Sequence, residues 1–145
     1  MTAPYHQLFV HCVWTTFNRL PLIAPKIEKC LYAVIAAKCE DLNCHVIAVG
    51  GVKDHVHLFV RVPPALAVAE FVQQVKGASS HFMNHEVVLD HAFKWQNGYG
   101  AFTVSKRSVE TVAAYVQNQK VHHAEGRMIS ELERVGADED SSPSR

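Results

Sequence analysis

The 145 residues predict an α+β domain: a ferredoxin-like split β-α-β sandwich, with an antiparallel sheet, helices on one face and a further C-terminal helix. Two observations carry this. Runs with a two-residue period and runs with a helical period alternate in the order strand, helix, strand, strand, helix, strand, helix. An apolar fraction of 48% gives a chain of one-domain length enough material for its own core.

The first strand is read from His6 to Thr15, where Leu8, Val10, Cys12 and Trp14 alternate with Phe9, His11 and Val13; both faces are largely apolar, as in a central strand. Beyond Pro21 and Pro25, the residues Ile27, Leu31, Val34, Ile35 and Leu42 form a helical stripe ended by the turn-prone Asn43. Cys44 to Val49 reads as the second strand and His55 to Val62 as the third, joined as a hairpin through Gly50-Gly51 and Lys53-Asp54 and closed by Pro63-Pro64. Val68, Phe71, Val72, Val75 and Phe82 mark a second helix from Leu66 to Asn84. The stretch from His85 to Gly100 is irregular, and Tyr99 to Ser105 reads as the fourth strand. Ser108 is placed to cap the last helix, with Glu110 in its first turn and Gly126 at its end.

The formal charge is zero, but residues 1–127 carry 12 Lys/Arg against 9 Asp/Glu and residues 128–145 carry 2 against 5. A mildly basic body holding all ten histidines admits a polyanionic partner without demanding one. Cys12, Cys30, Cys39 and Cys44 form no Cys-x-x-Cys pair and no disulfide-scaffold spacing, and no basic-then-apolar leader precedes Tyr5, so a reducing cytoplasm is expected. No apolar stretch has membrane-spanning length. One domain is expected over residues 1–136, with Ala137–Arg145 an acidic, Ser-rich disordered tail.

Alternation along the third strand gives Val56, Leu58, Val60 and Val62 to the helix-covered core, and His55, His57, Phe59 and Arg61 to the opposite, more open face. Two imidazoles side by side can converge on a metal ion, although two half-exposed polar side chains would give the same pattern. On the last helix, Val109, Val112, Ala113 and Val116 form the core stripe, beside a polar stripe of Thr111, Tyr115, Gln119 and His122. Tyr115 and Gln119, four apart, are stacked neighbours. A buried tyrosine with a hydrogen-bonded hydroxyl would read alike.

Five ordered motifs extend these readings: Val13-Trp14-Thr15-Thr16, Asp54-His55-Val56-His57, Lys76-Gly77-Ala78-Ser79-Ser80, Phe93 to Phe102 (FKWQNGYGAF), and Tyr115-Val116-Gln117-Asn118-Gln119 with His122-His123. Over Gln7 to Ala124 they resemble the single-tyrosine HUH transposases of the IS-two-hundred insertion-sequence group, relatives of the REP-associated tyrosine transposases. HUH denotes two histidines flanking a hydrophobic residue, here His55, Val56 and His57.

The resemblance implies that His55, His57 and Gln119 bind a divalent cation, Mg²⁺ or Mn²⁺, and that Tyr115 is the nucleophile. It implies cleavage and rejoining of single-stranded DNA at hairpin-bearing element ends through a 5′-phosphotyrosine, by a homodimer in which the tyrosine helix can serve the partner's histidine pair. Phosphate contacts are expected from Lys53, Arg61, Lys76, Lys94, Lys106, Arg107 and Lys120, and base stacking from Trp95 or Tyr99. His122-His123 is expected to support the ligand helix. Beyond Ala124 only Met128, Ile129, Leu132 and Val135 recur at helical spacing, where family members often continue further. Two other readings stay open: a domesticated REP-associated enzyme processing genomic hairpins, and a hairpin-binding protein without catalysis.

Overall fold

The computed structural model describes residues 4–87, 89–126 and 128–136. The expected disorder of Ala137–Arg145 lies outside the described residues.

β1 (Phe9–Thr15) is followed by α1 (Pro25–Asp41), the hairpin of β2 (His45–Val52) and β3 (His55–Arg61), α2 (Val68–His85), β4 (Gly100–Val104), α3 (Val109–Gln117) and α4 (Gln119–Ala124). The sheet runs β2-β3-β1-β4 and every pairing is antiparallel, so the expected ferredoxin-like α+β order is the observed one. Pro25 starts α1, its preset φ suiting the first helical position. Asn43, at φ 59°, turns the chain out of α1, and Cys44 N–H closes onto the Cys39 carbonyl at 2.8 Å.

One sheet face carries the main core. Val10, Cys12 and Trp14 of β1 and Val56, Leu58 and Val60 of β3 meet Leu31 and Ile35 of α1 and Phe71, Val75 and Met83 of α2. The other face was expected to be open, and the structure corrects this. Phe59 and Ala48 are buried under Val112 and Val116 of α3, so the stripe read from Val109 to Val116 packs on that second face. Gly50 makes the approach possible: a Cβ there would lie 2.0 Å from the Val116 carbonyl oxygen.

Two further differences concern the last helix and β2. The single helix expected up to Gly126 breaks at Asn118, whose side-chain amide donates to the Ala114 carbonyl at 2.8 Å and whose backbone leaves helical geometry. Gly126, at φ 67°, ends α4 as expected. In β2, a bulge falls between Val46 and Ala48, so Val46 faces the main core while Ala48 faces α3. No helix among the described residues is long and apolar enough to cross a membrane.

Candidate metal and tyrosine site

β3 delivers His55 and His57 to the α3 side of the sheet with ring centroids 5.2 Å apart. They are 3% and 0% exposed, because α3, α4 and the segment 128–136 close over a face read as open. Each is held from behind. His55 Nδ1–H donates to Asp54 Oδ1 at 2.7 Å, and Asp54 also lies 3.7 Å from the Arg19 guanidinium. His57 Nδ1 lies 2.7 Å from His11 Nε2, the two rings being stacked. Burial, reinforced by the neighbouring His57, takes the pKa of His11 down to about 3 and keeps it neutral. In the tautomer where His57 Nδ1–H donates to His11, His57 Nε2 carries a free lone pair.

Both Nε2 atoms converge on Glu133, in a 3₁₀ turn of the C-terminal segment (Ser130–Glu133). His55 Nε2 is 3.2 Å from Glu133 Oε1 and His57 Nε2 is 3.0 Å from Oε2. His123, from α4, joins them, its Nε2 3.1 Å from Glu133 Oε1 and 3.0 Å from His55 Nε2. One donor atom from each of His55, His57, His123 and Glu133 falls within 4.8 Å of the others, so these side chains can hold a metal ion.

The electrostatics follow from this crowding. Burial pulls His55 down, but its hydrogen bonds to Glu133 and Asp54 outweigh that and raise it above an ordinary histidine. For His57 burial wins over Glu133, and for His123 burial and the His55 charge win, so both are lowered. Burial would raise Glu133, yet the His55 and His57 imidazoles crowded against it hold it far below the usual carboxylate range.

Tyr115, 4% exposed, enters the same site from α3 of the same chain. Its hydroxyl donates to Glu133 Oε2 at 2.7 Å and accepts from Ile129 N–H at 2.9 Å. The ring stands edge-on to His57, centroids 5.9 Å apart, with His122 4.8 Å away on another side. Burial and the Glu133 hydrogen bond push the phenol up to about 12. Gln119 opens α4, its amide donating to the Tyr115 carbonyl at 2.9 Å and its Oε1 3.0 Å from His123 Nε2. His55, His57, Tyr115 and Gln119, expected from sequence, are thus brought together. Of the His122-His123 pair, His122 backs the tyrosine and His123 points into the cluster.

Glu133, His11, Asp54 and the ligand-like role of His123 were missed. His11 left a signal, a polar residue in a strand apolar on both faces, where a buried imidazole needs a partner. Glu133 left none, because an acidic residue in an acidic tail carries no spacing relation to a strand about 75 residues earlier.

The expected DNA-contacting residues scatter more. Lys53, Lys106 and Arg107 are exposed. Lys120 pairs with Glu28, while Lys53 and Lys120 line a cleft of about 530 Å³ that includes His123 and Arg19 and adjoins the site. Lys76 donates to the Gln96 and Gly98 carbonyls, Lys94 lies over the Phe17 ring at 4.4 Å and Arg61 reaches the His6 carbonyl. Trp95, expected to stack a base, is largely buried at the edge of the main core. Its ring meets Trp14 and Phe93 edge-on and its N–H donates to Ser79 Oγ at 3.0 Å, while its remaining edge lines, with Lys76, Lys94 and Tyr99, a cleft of about 810 Å³. Tyr99 is half-buried.

Residues 4–119 match the family profile described as Transposase IS200 like. The chain belongs to the IS200-like transposase family. A transposase for insertion sequence element IS200 of Salmonella typhimurium is 25% identical over 126 residues, covering 83% of this chain and 82% of the relative. The ISDra2 transposase TnpA of Deinococcus radiodurans is 24% identical over 119 residues, covering 79% and 85%. Among solved structures, one assigned as a transposase from Deinococcus radiodurans superposes with a TM-score of 0.62 at 21% identity, over 82% of this chain and 95% of that one. A REP-associated tyrosine transposase bound to a REP hairpin superposes equally, 0.62 at 13% identity, over 88% and 74%. IS200-like family membership makes the chain a DNA-processing enzyme, and the shared fold is the single-tyrosine transposase fold.

The site fits the metal such a transposase would use. His57 Nε2 is buried and makes no aligned hydrogen bond despite its nearness to Glu133, so it is a donor atom without a partner. Both HUH imidazoles have their Nδ1 positions engaged behind them, the arrangement that points Nε2 at a cation.

Proposed function

We propose that this chain cleaves and rejoins single-stranded DNA at hairpin-bearing element ends through a 5′-phosphotyrosine intermediate. The observation that carries the reading is the meeting of the Tyr115 hydroxyl and the buried His55-His57 pair at one carboxylate. Hairpin DNA as substrate is supported by the structural neighbour bound to a REP hairpin.

In the reaction, Tyr115 Oη attacks the scissile phosphorus in line, the bond from phosphorus to the 3′ oxygen breaks, and the strand leaves with a free 3′-hydroxyl. Reversal by a different 3′-hydroxyl rejoins DNA and frees the tyrosine, so the phosphodiester energy is kept and no nucleotide cofactor is needed. A phenol held near 12 is a weak nucleophile at neutral pH. Its proton must therefore leave as the new bond forms, and Glu133 Oε2 already accepts it in a hydrogen bond. A divalent cation, Mg²⁺ or Mn²⁺, held by His55 and His57 with donors such as Gln119 from the adjoining helix, would neutralise charge growing on the phosphate oxygens and align the scissile bond. Asp54 and His11 keep the imidazoles in the tautomer and orientation that require no rearrangement. The cleft with Lys53 and Lys120 offers the strand a cationic approach to the site.

The reading takes residues 1–136 as one catalytic domain, working in the cytoplasm as a homodimer. Because Tyr115 reaches the histidine pair of its own chain, each subunit can complete a site in cis; exchange of tyrosine helices between subunits is then an alternative assembly of the same parts. Incubating hairpin-bearing single strands with Mg²⁺ or Mn²⁺ tests the chemistry. A covalent protein–DNA adduct, lost in Tyr115→Phe while hairpin binding is retained, is the expected result. Binding without adduct under both cations would leave a hairpin-binding protein instead.

A further inference from the structure

We propose that Glu133 and His123 are protein ligands of the divalent cation alongside His55 and His57, so that the C-terminal segment completes the metal site; this rests on the metal-dependent reading above and specifies its ligands.

The distances carry the argument. A cation with bonds of about 2.0–2.2 Å to nitrogen and oxygen places neighbouring ligand atoms about 2.8–3.6 Å apart, in either octahedral or tetrahedral geometry. The separations here are 3.0 Å from His55 Nε2 to His123 Nε2, 3.2 Å from His55 Nε2 to Glu133 Oε1, 3.1 Å from His123 Nε2 to Glu133 Oε1 and 3.0 Å from His57 Nε2 to Glu133 Oε2. Hydrogen bonding leaves part of this set unexplained. His55 can donate to both Asp54 and Glu133 and His123 Nε2 can donate to Gln119 Oε1, but His55 Nε2 and His123 Nε2 cannot both point protons at one another, and His57 Nε2 has no aligned acceptor.

Glu133 is also positioned by its backbone rather than by chance. On one side Ile129 N–H donates to Tyr115 Oη at 2.9 Å, and on the other Gly136 N–H donates to the Tyr99 carbonyl at 3.2 Å. Between them the Arg134 carbonyl lies so close to β4 that a Cβ on Gly100 would be 1.8 Å from its oxygen. A carboxylate fixed at both flanks and aimed at three imidazoles is a ligand geometry, and its nitrogen-rich company suits transition ions.

The test is Mn²⁺ binding to the full chain, without DNA, read by the electron paramagnetic resonance of free Mn²⁺, with Co²⁺ d–d absorption as a report on the ligands. Glu133→Ala and His123→Ala should each weaken Mn²⁺ binding tenfold or more and alter the Co²⁺ bands, with unchanged circular dichroism. Glu133→Gln, isosteric but uncharged, should weaken it as well. Affinities within twofold of the parent in both Glu133 variants, or tighter, would overturn the proposal. So would Gln119→Ala alone matching the loss in His57→Ala while the Glu133 and His123 variants bind normally; that result leaves the proposed reaction standing. Unchanged binding in His55→Ala and His57→Ala would instead remove the metal site from the proposed function, and this inference with it.

Discussion

His57 is held from behind by His11, with Glu133 3.0 Å from its open Nε2, while His55 has Asp54 behind and Glu133 in front. Partners behind a ligating imidazole are worth roughly 10–100-fold in metal affinity. Asp54→Asn and His11→Ala should therefore weaken Mn²⁺ binding by about that factor while leaving both Nε2 donors present; unchanged affinity in both would show that the backing contacts do not orient the ligands. At this scale the sequence was half legible. His-x-His on a strand fixes two neighbouring imidazoles through backbone periodicity alone, and Tyr115 with Gln119 follows from helical stacking. His11 acquires its role only from register, opposite Phe59 and two residues from the Val13–His57 pair on the same sheet face, and Glu133 only from where a non-periodic segment comes to rest.

Two glycines set how elements meet. Gly50 lets the α3 backbone lie directly on β2, and Gly100 lets the C-terminal segment lie directly on β4. Gly50→Ala must push α3 off the sheet, and overpacking of this kind costs about 1–3 kcal/mol; a lowered melting temperature together with loss of the covalent adduct is expected. Gly100→Ala meets the Arg134 carbonyl and should release Glu133 while sparing the core, so its Mn²⁺ affinity should fall towards that of Glu133→Ala with little change in melting temperature. Parent-like affinity would mean that the segment reaches the site without that contact. Strands and helices were read within a few residues because their buried stripes are regular, as at Ile27, Leu31, Ile35 and Cys39. The Asn118 break and the β2 bulge were not, since each is a local irregularity selected by packing of α3 and α4 on the sheet.

Across the whole molecule, the four cysteines are free thiols, three of them buried. Burial, with neighbouring thiols, pushes Cys12 up to about 12, and burial with Cys44 and Glu40 does the same for Cys39. The unfolded chain gives up these protons from pH 9, the folded one only near 12; the folded state then binds more protons, so stability falls as pH rises through this window. The slope is up to about 1.4 kcal/mol per pH unit for each thiol. Urea unfolding between pH 8 and 10 should show the fall beginning near 9 and flattened in Cys12→Ala/Cys39→Ala, and both thiols should resist modification in native protein at pH 8. A fall of equal steepness in the double variant would assign it to other groups. What the amino-acid order determined by itself was the split β-α-β layout, the paired imidazoles of β3 and the tyrosine one turn from a glutamine, because periodicity acts between near neighbours. Tertiary structure decided that the histidine face would be covered, that Trp95 would turn inward, and that His11, His123 and Glu133 would meet His57. Those contacts join residues 46 to 76 positions apart, and only the packing of α3, α4 and the C-terminal segment against the sheet brings such distant side chains within bonding range.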